Sequence, residues 1–323
     1  MKKVNFIIPC YNEEEVLPLL YERLNNVSKE LKDYECEFIF INDGSKDKTE
    51  EIIENLNKKD SRVKLYSFAR NFGHQAAVSC GIHHCKSDIA IIIDADLQDP
   101  PEIIPDMIKE YEISKTPIIY GKRISREGES LFKKLTASIF YRLINLLSEV
   151  QFPVDTGDFR LIDKTVIEAY KSFSENPKYI RGLISWMGFE QKAFEYKRES
   201  RIAGTTKYTL KKMLRLALTG ILSFSVKPLR ISLFFGIISI LIAIVFSLRV
   251  FYLYLFSPAE LVRGWASTII IILFMGGVQL ISLSVISEYL ANLFNEVKKR
   301  PEYILKNAIE NHQIRSDQIR SDS

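Results

Sequence analysis

Two long stretches without a charged residue constrain this chain more than any other feature. Residues 231–248, between Arg230 and Arg249, are built from Ile, Leu, Phe, Gly, Ser, Ala and Val, and apolar character resumes from Phe251 to Phe256. Residues 266–286 are uncharged as well. As a helix, each run is long enough to cross a hydrocarbon core of about 30 Å. Only Ser257 to Trp265 separates them, so the pair predicts a transmembrane hairpin, with spans at about 231–256 and 266–288. Lys227 and Arg230 precede the first span, and Lys298, Lys299 and Arg300 follow the second, whereas the connecting loop carries only Glu260 and Arg263. The positive-inside rule therefore places both ends, and the large N-terminal part, in the cytosol of a multi-pass protein of the plasma (inner) membrane. Arg249 lies near the outer end of its span, where its long side chain can reach the interface.

The rest of the 323 residues suffices for one sizeable catalytic domain. The first apolar run, Val4 to Pro9, is far too short for the core of a signal peptide. A net charge of +4, with no isolated Lys/Arg stripe, excludes nucleic acid as a bulk partner. The cysteines are Cys10, Cys36, Cys80 and Cys85. Cys80 and Cys85 flank His83 and His84, but one short segment does not easily present four tetrahedral zinc ligands. All four are read as reduced thiols, which fits the cytosol.

From the N-terminus, strand and helix patterns alternate. Residues 4–9 read as a strand ended by Pro9. Residues 13–32 carry Val16, Leu20, Leu24, Val27 and Leu31 on one helical face. Residues 37–42 are a near-continuous apolar run, as a buried parallel strand requires. A helix over 48–58, a strand over 63–66, a helix over 75–83, a strand over 89–93 and another at 118–121 follow. The alternation predicts a doubly wound α/β domain of the Rossmann type over residues 1–209. Residues 131–147 and 210–224 read as basic amphipathic helices. The second, within a segment bounded at 210–228, is expected to lie on the bilayer surface ahead of the hairpin (229–291). The tail, 292–323, is expected to be cytosolic; it is polar from Glu302, and its ending, which repeats Ile-Arg-Ser-Asp, is expected to be disordered.

Asp94-Ala95-Asp96 follows the apolar run Ile89 to Ile93, at the strand edge where open α/β sheets bind ligands. On an extended segment the two carboxylates point to opposite sides. One then ligates a divalent cation while the other reaches it through water or contacts the donor. Hard oxygen ligands suit Mg²⁺ or Mn²⁺, and such a cation would neutralise the diphosphate released from a nucleotide sugar.

The combination Ile8-Pro9-Cys10-Tyr11-Asn12-Glu13-Glu14, Ile41-Asn42-Asp43-Gly44-Ser45, Arg70-Asn71-Phe72-Gly73, Asp94-Ala95-Asp96-Leu97-Gln98-Asp99-Pro100-Pro101 and Asp155 to Leu161 resembles family 2 glycosyltransferases of the polyprenyl-phosphate sugar synthase group. That group includes dolichol-phosphate mannose synthases, and the likeness is strongest to bactoprenol glucosyltransferases. It spans about residues 4–300. It implies a GT-A-type domain and inverting transfer of a hexose, UDP-glucose first, to undecaprenyl or another polyprenyl phosphate.

The resemblance assigns donor binding to Pro9, Tyr11, Glu13, Ile41, Asp43, Asp94, Ala95, Asp96, Gln98, Arg123, Arg201 and Lys207. Asp94 and Asp96 are the metal ligands. The carboxylate of Asp43 can accept hydrogen bonds from a base edge. Asn42, neutral where many relatives carry a second Asp, bears on donor preference; its alternative reading, like that of Tyr11, is turn chemistry. Arg201 and Lys207 show the family's Arg-x5-Lys spacing, and with Arg123 they suit a diphosphate clamp. Asp155 and Asp158 are the candidates for the base or for a group that orients the acceptor, with Asp155 favoured and Asp96 counted with them in catalysis. Arg160 can pair with either and be purely structural. Arg126, Lys133 and Arg142 are candidate contacts to the acceptor phosphate. Relatives assemble as oligomers, so a homo-oligomer, possibly a tetramer, is expected.

Two rivals are weaker. A processive polysaccharide synthase carries a Gln-x-x-Arg-Trp motif and more spans, and neither Trp186 nor Trp265 sits in that context. A scaffold with a decayed transferase domain is opposed by the intact acidic pair and the Arg201–Lys207 loop.

Overall fold

The computed structural model describes residues 1–124, 156–175, 179–197, 227–256, 265–310 and 313–315. Four parallel strands form the centre of the sheet: β1 (Lys2–Cys10), β2 (Tyr34–Asn42), β3 (Val63–Phe68) and β4 (Ile89–Ile92), in the order β4-β1-β2-β3. Both faces are covered, which is why these strands read as continuous apolar runs. Val4, Phe6 and Ile8 enter one core with Leu17, Leu20 and Leu24 of α1 (Leu17–Glu30) and Met107 and Ile108 of α4 (Ile104–Ser114). The opposite face of β1 meets α3 (His74–His84), where Gly81 lies so close that an added Cβ would stand 2.2 Å from Ile7 Cγ2. Between β2 and β3 runs α2 (Thr49–Lys59). All five residues of the predicted α1 stripe are buried.

The sheet is mixed rather than purely parallel. β6 (Thr156–Asp163) runs antiparallel between β4 and β5 (Ile118–Arg123), and β7 (Gln191–Tyr196) pairs parallel to β5. Two short helices follow β6: α5 (Lys164–Lys171), capped by Asp163 Oδ1 accepting from Val166 N at 3.0 Å, and α6 (Ile180–Trp186).

The polar tail, for which the sequence predicts no strand, contributes two. Leu305–Glu310 forms β8, antiparallel to β3, and Gln313–Arg315 forms β9 on β8. The outer edge of β3 offers unpaired N–H and C=O groups. A segment with only Ala308 and Ile309 fully buried is enough to fill it, so its polar composition conceals the strand. Residues from Lys299 onward accordingly belong with the sheet unit.

A second compact unit holds two long helices, α7 (Lys227–Phe256) and α8 (Trp265–Val297), which contact each other. Many apolar side chains on them face outward, among them Phe234, Leu241, Leu248, Phe251, Ile272, Leu280 and Leu290. Among the described residues, Phe274–Val297 is long and apolar enough to cross a membrane. The predicted amphipathic helices at 131–147 and 210–224 lie outside the described residues.

Candidate active site

The C-terminal ends of β1, β2 and β4 open into one cavity of about 290 Å³. Pro9, Tyr11, Glu13, Asp43, Asp94, Ala95 and Asp96, all expected from the sequence, line it together with Cys10, Asn71, Gly73, His74 and Ala77.

The turns around it are tied to each other by side chains. After β1, Asn12 adopts φ 56°, its N–H donates to Ser45 Oγ at 3.0 Å, and its Oδ1 accepts from Lys46 N at 2.9 Å. Glu13 N donates to Thr49 Oγ1 at 2.9 Å. Asn42 is fully buried, accepts from Ser45 N at 3.0 Å and donates to Ser67 Oγ at 3.3 Å. It is a turn builder and is not among the cavity's lining residues. Ile41 is fully buried in the core, so its side chain offers nothing to a ligand.

Asp43 is 1% exposed, and loop 70–73 already uses its carboxylate. Phe72 N donates to Oδ1 at 2.7 Å, Gly73 N to Oδ2 at 3.0 Å and Asn71 Nδ2 to Oδ2 at 2.9 Å. Burial raises its pKa, and the amide hydrogen bonds and the charges of His74 and Arg70 only partly offset that. The first job of Asp43 is thus to hold loop 70–73 in place. The Arg70 guanidinium lies 4.0 Å from the Phe72 ring centroid.

Beyond β4 the chain turns instead of continuing extended, with Leu97 at φ 54°. Asp94 and Asp96 therefore line the same cavity rather than opposite faces. Asp96 Oδ1 accepts from Gln98 N at 3.2 Å. Asp94 Oδ1 is buried without a hydrogen-bond partner, 3.6 Å from His74 Nε2. Burial, together with the nearby Asp158, Asp99 and Asp96 charges, lifts Asp94 to about 6, although the charge of His74 works against the rise. An orphaned carboxylate oxygen beside a second carboxylate fits a hard divalent cation. Among the described residues no third His, Cys, Asp or Glu joins the two in a metal-binding cluster.

Behind Asp94 lies a group that sequence reasoning only half found. Asp158 is 6% exposed and is gripped by Arg181 of α6, Nε to Oδ1 at 2.6 Å and Nη2 to Oδ2 at 3.1 Å. His74 Nε2 stands 3.0 Å from Oδ2. Burial would raise Asp158, but Arg181 and His74 hold it well below the ordinary carboxylate range. A carboxylate held so firmly ionised is a weak proton acceptor. For His74, burial opposes the charge, and Asp94 and Asp158 overcome it, lifting the imidazole to about 9. Arg160 is buried and donates to the carbonyls of Gly157 and Asp158, as the structural reading requires. His74 and Arg181 were missed because neither stands in a spacing that marks chemistry; His74 merely follows the Gly73 turn.

Arg123 is placed differently from a free phosphate clamp. Its Nε donates to the Tyr196 hydroxyl at 3.3 Å and its Nη2 to Asp99 Oδ1 at 3.5 Å, and Tyr196 also donates to Asp99. This buried triad fixes the turn after the acidic pair to β5 and β7. Asp155, Arg201, Lys207, Arg126, Lys133 and Arg142 lie outside the described residues.

The glycosyl transferase family 2 profile matches residues 5–171. An uncharacterized glycosyltransferase, YkcC, of Bacillus subtilis (strain 168) is 43% identical over 316 residues, 97% of each chain. A prophage bactoprenol glucosyl transferase homolog of Escherichia coli (strain K12) is 40% identical over 305 residues, 94% of this chain and 98% of that one. A mannosyltransferase from Pyrobaculum calidifontis, solved with GDP-Man and Mn²⁺, superimposes with a TM-score of 0.47 at 17% identity over 69% of this chain and 63% of that one.

Proposed function

The chain belongs to glycosyl transferase family 2, and from that premise we propose that it transfers a hexose from a nucleotide sugar, UDP-glucose first, to undecaprenyl or another polyprenyl phosphate, inverting the anomeric centre. One observation carries the acceptor class. The relatives named for bactoprenol glucosyl transfer match over 94% of this chain, the long helices as well as the sheet domain.

Asp94 and Asp96 would hold Mg²⁺ or Mn²⁺. When bound, that cation neutralises charge on the departing diphosphate. Tyr11 and Glu13 line the cavity where the nucleoside would sit. Arg201 and Lys207, at the family's Arg-x5-Lys spacing, are assigned to the diphosphate. The acceptor needs little deprotonation, because a phosphate monoester has a second pKa of about 6 and is largely dianionic at neutral pH. A strong base is then unnecessary, which accords with Asp158 being held by Arg181 and His74. Asp155 is assigned the orientation of the acceptor phosphate, with Arg126, Lys133 and Arg142 as its cationic contacts.

The acceptor's lipid tail requires a membrane site. Both long helices are read as spans of a hairpin, with the sheet domain on the cytosolic side and residues 210–228 lying on the interface. Gly276-Gly277 permits close helix contact in a homo-oligomer, possibly a tetramer. Labelling of a cysteine introduced at Glu260 from the outer face tests the orientation, and a monomer mass in mild detergent rejects the oligomer.

The transfer itself is tested with the full chain purified in mild detergent. UDP-glucose, Mn²⁺ and undecaprenyl phosphate should yield a lipid-linked hexose by mass spectrometry. UDP-galactose, UDP-N-acetylglucosamine and GDP-mannose serve as competing donors. No glycolipid from any of the four, with donor and metal bound, overturns the reading.

A further inference from the structure

The segment after the second long helix ends up behind the donor cavity. α8 ends at Val297, and five residues later Glu302 accepts a hydrogen bond from Ser79 Oγ of α3 at 2.7 Å. Tyr303 stacks on Phe68, ring centroids 5.0 Å apart and planes 12° from parallel. Ile304 O accepts from Ala69 N at 2.9 Å. β8 then pairs along β3, where the Tyr66 hydroxyl donates to Glu310. Lys306 pairs with Glu50 of α2 at 3.1 Å.

Apart from the Lys306–Glu50 pair on α2, these contacts fall on β3, on Ala69 just after it and on α3, and β3 and α3 are the two elements that flank loop 70–73. Phe68 in turn meets Phe72 edge-on at 5.7 Å. The loop supplies the amides that hold Asp43, and with His74 it lines the cavity. Without Glu302 to Glu310, β3 would be an exposed edge strand and its C-terminal end would fray toward the loop.

We propose that residues 302–310 are a positioning element of the donor pocket: they brace β3 and the middle of α3, the two elements that hold loop 70–74, so that the loop is preset for the nucleotide. This rests on reading the cavity as the donor pocket. The residues are positioning residues because none of them lines the cavity. The same stretch follows directly on the second long helix, so one continuous piece of chain serves both the helix pair and the donor loop.

The test uses full-length variants in detergent. Tyr303→Ala removes the stacked ring and Tyr303→Phe keeps it. Glu302→Gln keeps an acceptor for Ser79, and Ser79→Ala serves as the mildest disruption should Tyr303→Ala fail to fold. Hydrogen exchange of the peptide covering 69–75 reads the loop directly, whatever the donor. Expected for Tyr303→Ala, or for Ser79→Ala in its place, is about tenfold faster exchange at Phe72 and Gly73, with β5 and β6 unchanged. The KM for UDP-glucose rises about tenfold with kcat within threefold, and Tyr303→Phe behaves as wild type. Unchanged exchange at 72–73, or an equal loss of protection across β5 and β6, overturns the proposal. If the loop loosens as expected but wild type does not bind UDP with Mn²⁺, the brace stands and the donor reading falls.

Discussion

Asp94→Asn is expected to abolish sugar transfer, by about 10³-fold or more, while raising the melting temperature of the metal-free protein at pH 7.5. The activity loss follows from removing one of two carboxylates that would hold the cation. A metal supplies several kcal/mol of charge stabilisation, and each 1.36 kcal/mol is tenfold in rate. The stability gain follows from the same carboxylate in the absence of metal. In the unfolded chain Asp94 ionises near 3.8, and in the folded protein it keeps its proton up to about 6, chiefly because it is buried. Between those values the folded state binds more protons, so stability falls as pH rises through the window, and the whole penalty is present above it. The side chain is 29% exposed, and solvent screening reduces the penalty to about 1–2 kcal/mol. Asparagine does not ionise. The variant should therefore melt several degrees higher in EDTA at pH 7.5, with the difference shrinking as pH falls toward 4. Equal or lower melting at pH 7.5 contradicts the assignment of Asp94 as a strained, metal-ready carboxylate.

Gly44→Ala carries the second large effect. Gly44 sits at φ +63°, and a Cβ there would stand 2.4 Å from Arg70 C, 2.6 Å from Asn71 N and 2.8 Å from Arg70 Cα. These are backbone atoms, so no side-chain rotation relieves the clash. The left-handed conformation costs about 1–2 kcal/mol for a residue with a Cβ, and overpacking adds about 1–3 kcal/mol. The displaced segment carries the amides that hold Asp43. Chemical denaturation should show a loss of about 2–5 kcal/mol, and UDP affinity in the presence of Mn²⁺ should fall more than tenfold. A loss under about 1 kcal/mol with unchanged affinity means that loop 70–73 does not depend on its contact with Gly44.

The central fold was legible because its strands are buried on both faces. Ile89 to Ile93 and Glu37 to Asn42 carry apolar runs that only a covered parallel sheet explains, and the α1 stripe repeats at helical spacing. β8 was not legible. A strand added at the rim of a sheet needs few apolar residues, and Leu305–Glu310 is recognisable only beside the edge of β3 that it covers. The site divides in the same way. Asp94, Asp96, Asp43, Tyr11 and Glu13 stand at strand ends in a recognisable order, and they do converge on the cavity. His74, Arg181 and Tyr196 are drawn in from elements far apart in the chain, and no local pattern could pair them with Asp158 or Asp99. Arg123 was expected in the diphosphate clamp, and Asn42 to bear on donor preference or to build a turn; their partners, Asp99 with Tyr196 and Ser45 with Ser67, tie both into the frame of the site.

The claim that the strand-end carboxylates form a metal-dependent nucleotide site is tested most directly by calorimetric titration of UDP, with GDP alongside, into the full chain. The account predicts binding of UDP with Mn²⁺ present, lost in EDTA and lost in Asp96→Asn. Binding of equal affinity in EDTA, or an Asp96→Asn variant that binds like wild type, would contradict it.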